Sequence, residues 1–383
     1  MDPLKTCLSC VAAGMTAWLA WHVSPTLIPM SLLFPAIAFG QRDRPSTVLV
    51  AFSYFAVASW PVMQISAVYF AGGTSAGIIP WLTASAILSI PWVSLWIPGP
   101  QGLWWRIPVA LLVSATPPIG IIDWASPLTA AGLLYPNSGF TGLFATGVLA
   151  VTLAIRNWAF VAAMIASSVI TNAVYRDPAP PTNWIAIDTE FGNVHDPRNP
   201  VPEVAAAEYI QRAATASDAK VIIFPEAVVP RWTEATDVFW RPTLDKIHQR
   251  DGILLIGAGV PIPNSPAELR NAVVVRGSSS ATFDQRIPVP LAMWKPWGKD
   301  RVPMNLSGRS TITVSGERAA IFICYEQLLP WSYLTAFASD PTVLVGAANA
   351  SWTKHTVIPK YQAAALQAWG RLFGTPVISA TNY

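Results

Sequence analysis

Ala319-Ala-Ile-Phe-Ile-Cys-Tyr-Glu326 is the stretch that decides the fold. Its apolar residues run without a polar interruption and then give way in one step to a thiol, a phenol and a carboxyl. A short apolar run bounded in this way reads as a strand buried on both faces. The same pattern recurs outward from it. Thr342-Val-Leu-Val345 precedes Asn349-Ala-Ser-Trp352, and Val221-Ile-Ile-Phe224 runs into Pro225-Glu226. Gly252-Ile-Leu-Leu-Ile-Gly257 and Asn271-Ala-Val-Val-Val275 are further buried strands. Residues 183–191 alternate like a half-buried strand, 202–217 have helical spacing with acids early, and 360–371 read as a helix. Buried strands alternating with helices indicate an α/β domain.

The N-terminal half is written for a different solvent. Only 12% of the 383 residues are charged, against about a quarter in an ordinary soluble domain. Residues 1–175 hold just eight charges, and 61 residues between Arg44 and Arg106 hold none. Such a composition excludes an ordinary cytosolic enzyme and a disordered chain, and a net charge of +3 is too small for a nucleic-acid binder. The 18 tryptophans suit membrane interfaces. The expected organisation is a transmembrane bundle over 1–175, a Pro-rich linker over 176–182 and an α/β domain over 183–383. About seven spans are expected, near 7–23, 25–40, 46–70, 76–98, 104–122, 138–155 and 158–175. On that count Lys5, Arg42, Arg44, Arg106 and Arg156 share one side, which the positive-inside rule makes cytoplasmic. An odd number of spans then delivers the C-terminal domain to the periplasm, as a multi-pass protein of a bacterial inner membrane.

Two strand ends carry reactive groups. Glu226 leaves one buried strand, where desolvation favours a proton-accepting carboxylate of raised pKa. Cys324 leaves another and is the one cysteine of the C-terminal half. A thiol beside a base is a nucleophile for acyl transfer, although the same thiol fits plain core packing. Other features carry less. Three cysteines make no disulfide framework, and Cys7-x-x-Cys10 without companion ligands reads as packing. His22, His195, His248 and His355 lack metal-ligand spacing. Gly257-Ala-Gly259 lacks a third glycine, so dinucleotide binding is not expected. No metal and no cofactor is implied.

Phe224-Pro-Glu-Ala-Val-Val-Pro230, Ile323-Cys-Tyr-Glu326, Ala348-Asn-Ala-Ser-Trp352 and Ala380-Thr-Asn382, in this order, resemble the nitrilase (carbon–nitrogen hydrolase) superfamily. The branch most similar is that of the apolipoprotein N-acyltransferases, which couple a membrane bundle to a periplasmic nitrilase domain. The resemblance implies a four-layer α-β-β-α sandwich and a Glu, Lys, Cys triad. Glu226 would take the thiol proton, Cys324 would attack an ester or amide carbonyl, and a lysine would stabilise the oxyanion. Tyr325, Glu326, Asn349 and Trp352 would line the site.

The sequence departs from that pattern at the lysine. Phe283-Asp-Gln-Arg-Ile-Pro-Val-Pro290 puts Gln285 in its place, and Met293 stands where the branch has an acid. On a strand Arg286 points away from the face of Gln285. Lys295 is the remaining candidate for the third member. The resemblance and these departures from it imply two functions. One is a membrane-bound, Cys-dependent acyltransferase or amidase acting on a phospholipid or lipoprotein-like substrate. The other is a nitrilase-like module without catalysis, reused for binding or assembly in a conjugation apparatus. A transporter has little support, because the spans carry almost no charge.

Overall fold

The computed structural model describes all residues except 1, 71–72, 195–197, 264, 296 and 298–301. His195 therefore lies outside the described residues. The chain divides into two compact units, each continued by later segments. The first comprises Met1–Asp177, Leu328–Tyr333 and Thr356–Gly374; the second comprises Pro178–Gln327, Leu334–His355 and Thr375–Tyr383.

The first unit is helical, and its sequence breaks its helices often. Pro3–Trp18 continues through a wide turn to Val23, and Ser24-Pro25 then starts a tighter 3-10 segment, Pro25–Leu32, that leads into Leu33–Phe39. Arg44–Ala58 is capped by the Asp43 carboxylate, which accepts from the Ser46 N–H at 2.9 Å. Ser59 ends that helix, Pro61 opens the next, Trp60–Tyr69, and the two are bent by 50°. Gly73–Ser94, Leu103–Ala115, Gly139–Ala154 and Trp158–Val174 follow. Inside, Phe34 stacks on Tyr54 at 4.0 Å and meets Trp92 edge-on at 4.8 Å, while the Trp21 indole donates to the Tyr54 hydroxyl at 3.0 Å. Leu4, Leu8, Val11, Met15 and Trp18, at helical spacing, form an exposed apolar stripe.

Among the described residues, two helices are long and apolar enough to cross a membrane, Pro3–Val23 and Ser75–Ser94. The number becomes four if each bent pair, Arg44–Tyr69 and Pro127–Ala154, is one span. About seven were expected. The physical difference lies in length: Pro25–Phe39, Leu103–Ala115 and Trp158–Val174 are apolar but short. A helix of that length rises roughly 20–25 Å, less than the ~30 Å hydrocarbon core of a bilayer.

The second unit contains two sheets. β1 (Trp184–Ala186), β2 (Val221–Ile223), β3 (Ile253–Ile262), β4 (Ser265–Gly277) and β5 (Ala281–Asp284) form one in sequence order. β1, β2 and β3 are parallel, and β4 and β5 add antiparallel. β6 (Thr311–Val314), β7 (Glu317–Ile323), β8 (Val343–Asn349) and β9 (Val377–Asn382) form the other, with β7, β8 and β9 parallel. Alternation along each strand sorts the core. Ile223, Leu255 and Val273 face Ile321, Ile323, Val345 and Ala347 between the sheets. Ile222, Leu254, Ile256 and Val274 pack instead against Ile210 of helix Val201–Ala216 and against Trp240 and Ile247 of helix Glu234–Gln249.

Helices Val201–Ala216 and Glu234–Gln249 thus lie on one face of the first sheet and the second sheet on the other. The helix expected to cover the far face of the second sheet, Ile358–Phe373, groups by its contacts with the helical unit. A Cβ on Gly132 would lie 1.7 Å from the Ala368 carbonyl oxygen, and Trp21 lies 5.9 Å from Tyr361 between ring centroids. Its buried residues, among them Tyr361, Gln362, Ala365, Leu366 and Trp369, exceed the single stripe of a surface helix.

Candidate active site

Glu226 stands three residues beyond β2, on backbone that keeps pairing after the strand has ended. Phe224 N–H donates to Leu255 O at 2.8 Å and Gly257 N–H to Pro225 O at 3.1 Å. The approach is so close that a Cβ on Gly257 would lie 2.3 Å from Pro225 O and 2.4 Å from Glu226 Cα. This explains a glycine in the middle of an otherwise bulky strand. Ala227 then takes a left-handed φ of 53°, turning the chain away and leaving the carboxyl at the strand end.

Cys324 follows β7 directly and has a φ of 49°, which costs a non-glycine residue energy. It opens the 3-10 turn Cys324–Leu328. Glu326 secures that turn. Its carboxylate accepts from the backbone N–H groups of Ile323 at 3.1 Å, Arg286 at 3.0 Å and Ile287 at 3.3 Å, and the Arg286 guanidinium lies 3.6 Å away. Glu326 is fully buried and Arg286 nearly so. Burial pushes the Glu326 carboxyl above the usual carboxylate range, opposed by Arg286 and the three N–H groups. This carboxylate is a buried acceptor that supports the turn.

The Glu226 carboxylate and the Cys324 thiol meet in a hydrogen bond. Each residue is only 4% exposed. Glu226 Oε1 accepts from Asn271 Nδ2 at 2.6 Å, and Oε2 accepts from the Asn349 N–H at 2.9 Å. Burial pushes the Glu226 carboxyl up; the bonds from Cys324, Asn271 and Asn349 oppose this, and the negative charge of Glu326 adds to the rise. Gln285 is 2% exposed and joins the same network. Its Oε1 accepts from Asn271 Nδ2 at 3.0 Å and its Nε2 donates to Ile323 O at 3.0 Å. Asn349, at the end of β8, is itself held: its Oδ1 accepts from Ser351 Oγ at 2.7 Å and from Asn382 Nδ2 at 3.3 Å.

Of the residues singled out from sequence, Glu226, Cys324, Gln285 and Asn349 are brought together. Tyr325 is buried in the turn after the thiol, and Trp352 is half-buried in the turn after β8. Lys295 is half-buried in the loop after the Pro290–Trp294 bridge, with no hydrogen bond or ion pair to Glu226, Gln285 or Asn271. His355 and His248 join no metal cluster among the described residues. Asn271 was missed. The available signal was an amide at the head of an otherwise apolar strand, Asn271–Val275.

A helical region containing apolar helices, joined to a mixed α/β region built on two sheets, is the class of protein this architecture defines. No family model matches the chain. It is 30% identical over 379 residues to the conjugal transfer protein TraB of Agrobacterium fabrum, covering 94% of this chain and 89% of that protein. It is 27% identical over 387 residues to the "Probable conjugal transfer protein TraB" of Sinorhizobium fredii, covering 100% and 99%. The chain belongs to the TraB family of conjugal transfer proteins. Among solved structures, an amidase from Nesterenkonia sp. is 11% identical, covering 52% of this chain and 74% of its own, with a TM-score of 0.35. A variant of the Nesterenkonia AN1 amidase, whose description places it in the nitrilase superfamily, is likewise 11% identical over 52% of this chain and 75% of its own, with a TM-score of 0.35.

Proposed function

We propose that this chain is a membrane-bound, Cys324-dependent acyltransferase or amidase of the nitrilase type that serves conjugal transfer. The observation that carries the reading is the hydrogen bond between the Cys324 thiol and the Glu226 carboxylate at the carboxyl ends of two buried strands. A carboxyl pushed upward by burial is better matched to a thiol than a solvated one, which makes proton transfer between them less costly.

The reaction runs in two halves. Glu226 takes the thiol proton while the sulfur forms a bond to the carbonyl carbon of an ester or amide. The tetrahedral intermediate collapses, the carbon–oxygen or carbon–nitrogen bond breaks, and the leaving alcohol or amine receives the proton held on Glu226. An amine or water then attacks the Cys324 thioester and Glu226 accepts its proton; the carbon–sulfur bond breaks, the acyl product leaves, and Glu226 returns the proton to the sulfur. With Gln285 in place of lysine, the developing negative charge is met by neutral donors, each weaker than a cation at the same distance. The expected acyl donor is a phospholipid or lipoprotein-like molecule, suited to a chain with apolar helices. A bacterial inner membrane is the expected location; the periplasmic side followed from an odd number of spans, and two or four candidate spans do not support it. The conjugation machinery is the expected partner.

A second reading is favoured by one observation. Both functional ends of the Gln285 amide are used within the protein, on Asn271 and Ile323. A site so occupied suits a module that binds or assembles rather than one that turns over. Incubation of the purified protein with labelled phospholipid, followed by mass spectrometry, separates the two. A thioester on Cys324 supports the enzyme. An unlabelled Cys324, together with undiminished conjugation by Cys324→Ala, leaves the module.

A further inference from the structure

The carboxyl and the thiol belong to different sheets. Glu226 is carried by β2 of the first and Cys324 by β7 of the second, so their spacing depends on how the sheets are held together at this end. One chain of side-chain bonds spans that gap. Ile323 O, the carbonyl next to the nucleophile, accepts from Gln285 Nε2 at 3.0 Å; Gln285 Oε1 accepts from Asn271 Nδ2 at 3.0 Å; and Asn271 Nδ2 gives its other hydrogen to Glu226 Oε1 at 2.6 Å.

We infer that Asn271 is a positioning residue that, with Gln285, braces the base against the backbone of the nucleophile. The inference rests on the reading of Glu226 and Cys324 as base and nucleophile, and it adds a residue to that pair.

The chemistry of the two amides makes the assignment directional. An amide nitrogen carries two hydrogens and no acceptor, and an amide oxygen accepts only. Asn271 faces two oxygens at once, so its nitrogen must point at them. Gln285 faces one donor and one carbonyl, so its orientation is fixed as well. A lysine at 285 could donate to Ile323 O but could not accept from Asn271. Asn271 is 7% exposed, and a two-way donor buried there keeps both hydrogens satisfied only while the brace is intact.

The test reads the pH midpoint for alkylation of Cys324 by iodoacetamide, in detergent-solubilised full-length chain carrying Cys7→Ser and Cys10→Ser. That readout requires no acyl transfer. Asn271→Asp replaces a donor by a carboxylate against Glu226 and is expected to raise the midpoint on the order of one pH unit, as like charges in one site do. Asn271→Ser is too short to reach both partners and is expected to move the midpoint in the same direction by less. If Asn271→Asp fails to fold, the serine variant decides. The double variant Asn271→Ser/Gln285→Ala is expected to shift no further than the larger single one. Folded variants with the parent midpoint, or shifts that simply add, overturn the brace. Shifted midpoints with no thioester ever found on Cys324 would uphold the brace and remove the acyl-transfer reading.

Discussion

Gln285 differs from a lysine by one positive charge and one atom of reach. The buried Glu226 carboxyl beside it is consequently served by neutral donors, from Asn271, Asn349 and Cys324. A fixed cation at 285 would favour both the carboxylate and the thiolate. Gln285→Lys is therefore expected to lower the midpoint of Cys324 alkylation on the order of one pH unit. A folded variant with an unmoved or raised midpoint would contradict this. Glu226 and Cys324 were legible as reactive groups at the ends of apolar runs, whereas Gln285 was singled out through the resemblance that Phe283–Pro290 carries. Asn271 was not. A single amide opening a strand looks the same whether it faces solvent or a buried carboxylate, and only the register of β4 against β3 and β5 turns it inward.

At the scale of elements, the site depends on how closely two strands approach. Gly257→Ala would set a methyl group against Pro225 O and Glu226 Cα, and neither backbone atom can move without shifting the base. A loss of about 1–3 kcal/mol of stability is expected, with slower alkylation of Cys324. Thermal melting and the alkylation rate check this, and parent-like values for both would refute it. The turn beyond Cys324 depends on Glu326. Arg286→Leu leaves that carboxylate buried with its N–H donors alone, a loss of about 3–5 kcal/mol by analogy with other broken buried pairs, measured by chemical denaturation. Strands read from apolar runs were found close to where they were expected, and β3 and β4 run longer as a hairpin. Helix Glu234–Gln249 escaped notice because Pro242 and its charges obscure the pattern, although the Thr233–Thr236 capping box marked its start. Strand 183–191 shortened to β1 because its later residues bond elsewhere, Thr189 with Asn382 and the Asp188 carboxylate with Thr381 N–H.

For the molecule as a whole, composition points to an apolar helical part and a mixed α/β part, and the structure has a helical region followed by a mixed α/β region. Composition could not show that Thr356–Gly374 belongs by contact with the helices. That allegiance depends on shape, such as the glycine at 132 that admits Ala368. A chain begun at Pro178 would expose Tyr361, Leu366, Trp369 and Leu372, and is expected to require detergent or to aggregate on size-exclusion chromatography. A monodisperse, detergent-free product would contradict this. Stability carries a pH signature too. Glu226 has its folded pKa raised by burial, so its contribution is greatest below the ordinary carboxylate value and is lost as pH rises through the raised one. Glu226→Gln should thus gain stability relative to the parent as pH rises above the ordinary carboxylate value. Melting curves of the pair that stay parallel through that rise would argue against a raised carboxyl. The most direct test of the central claim, that Glu226 is the base for a nucleophilic Cys324, is acylation by a p-nitrophenyl ester, located by peptide mass spectrometry in full-length chain carrying Cys7→Ser and Cys10→Ser. The acyl group is expected on Cys324, with formation slowed roughly 100-fold or more by Glu226→Gln; an unmodified Cys324, or equal rates in the two proteins, would contradict it.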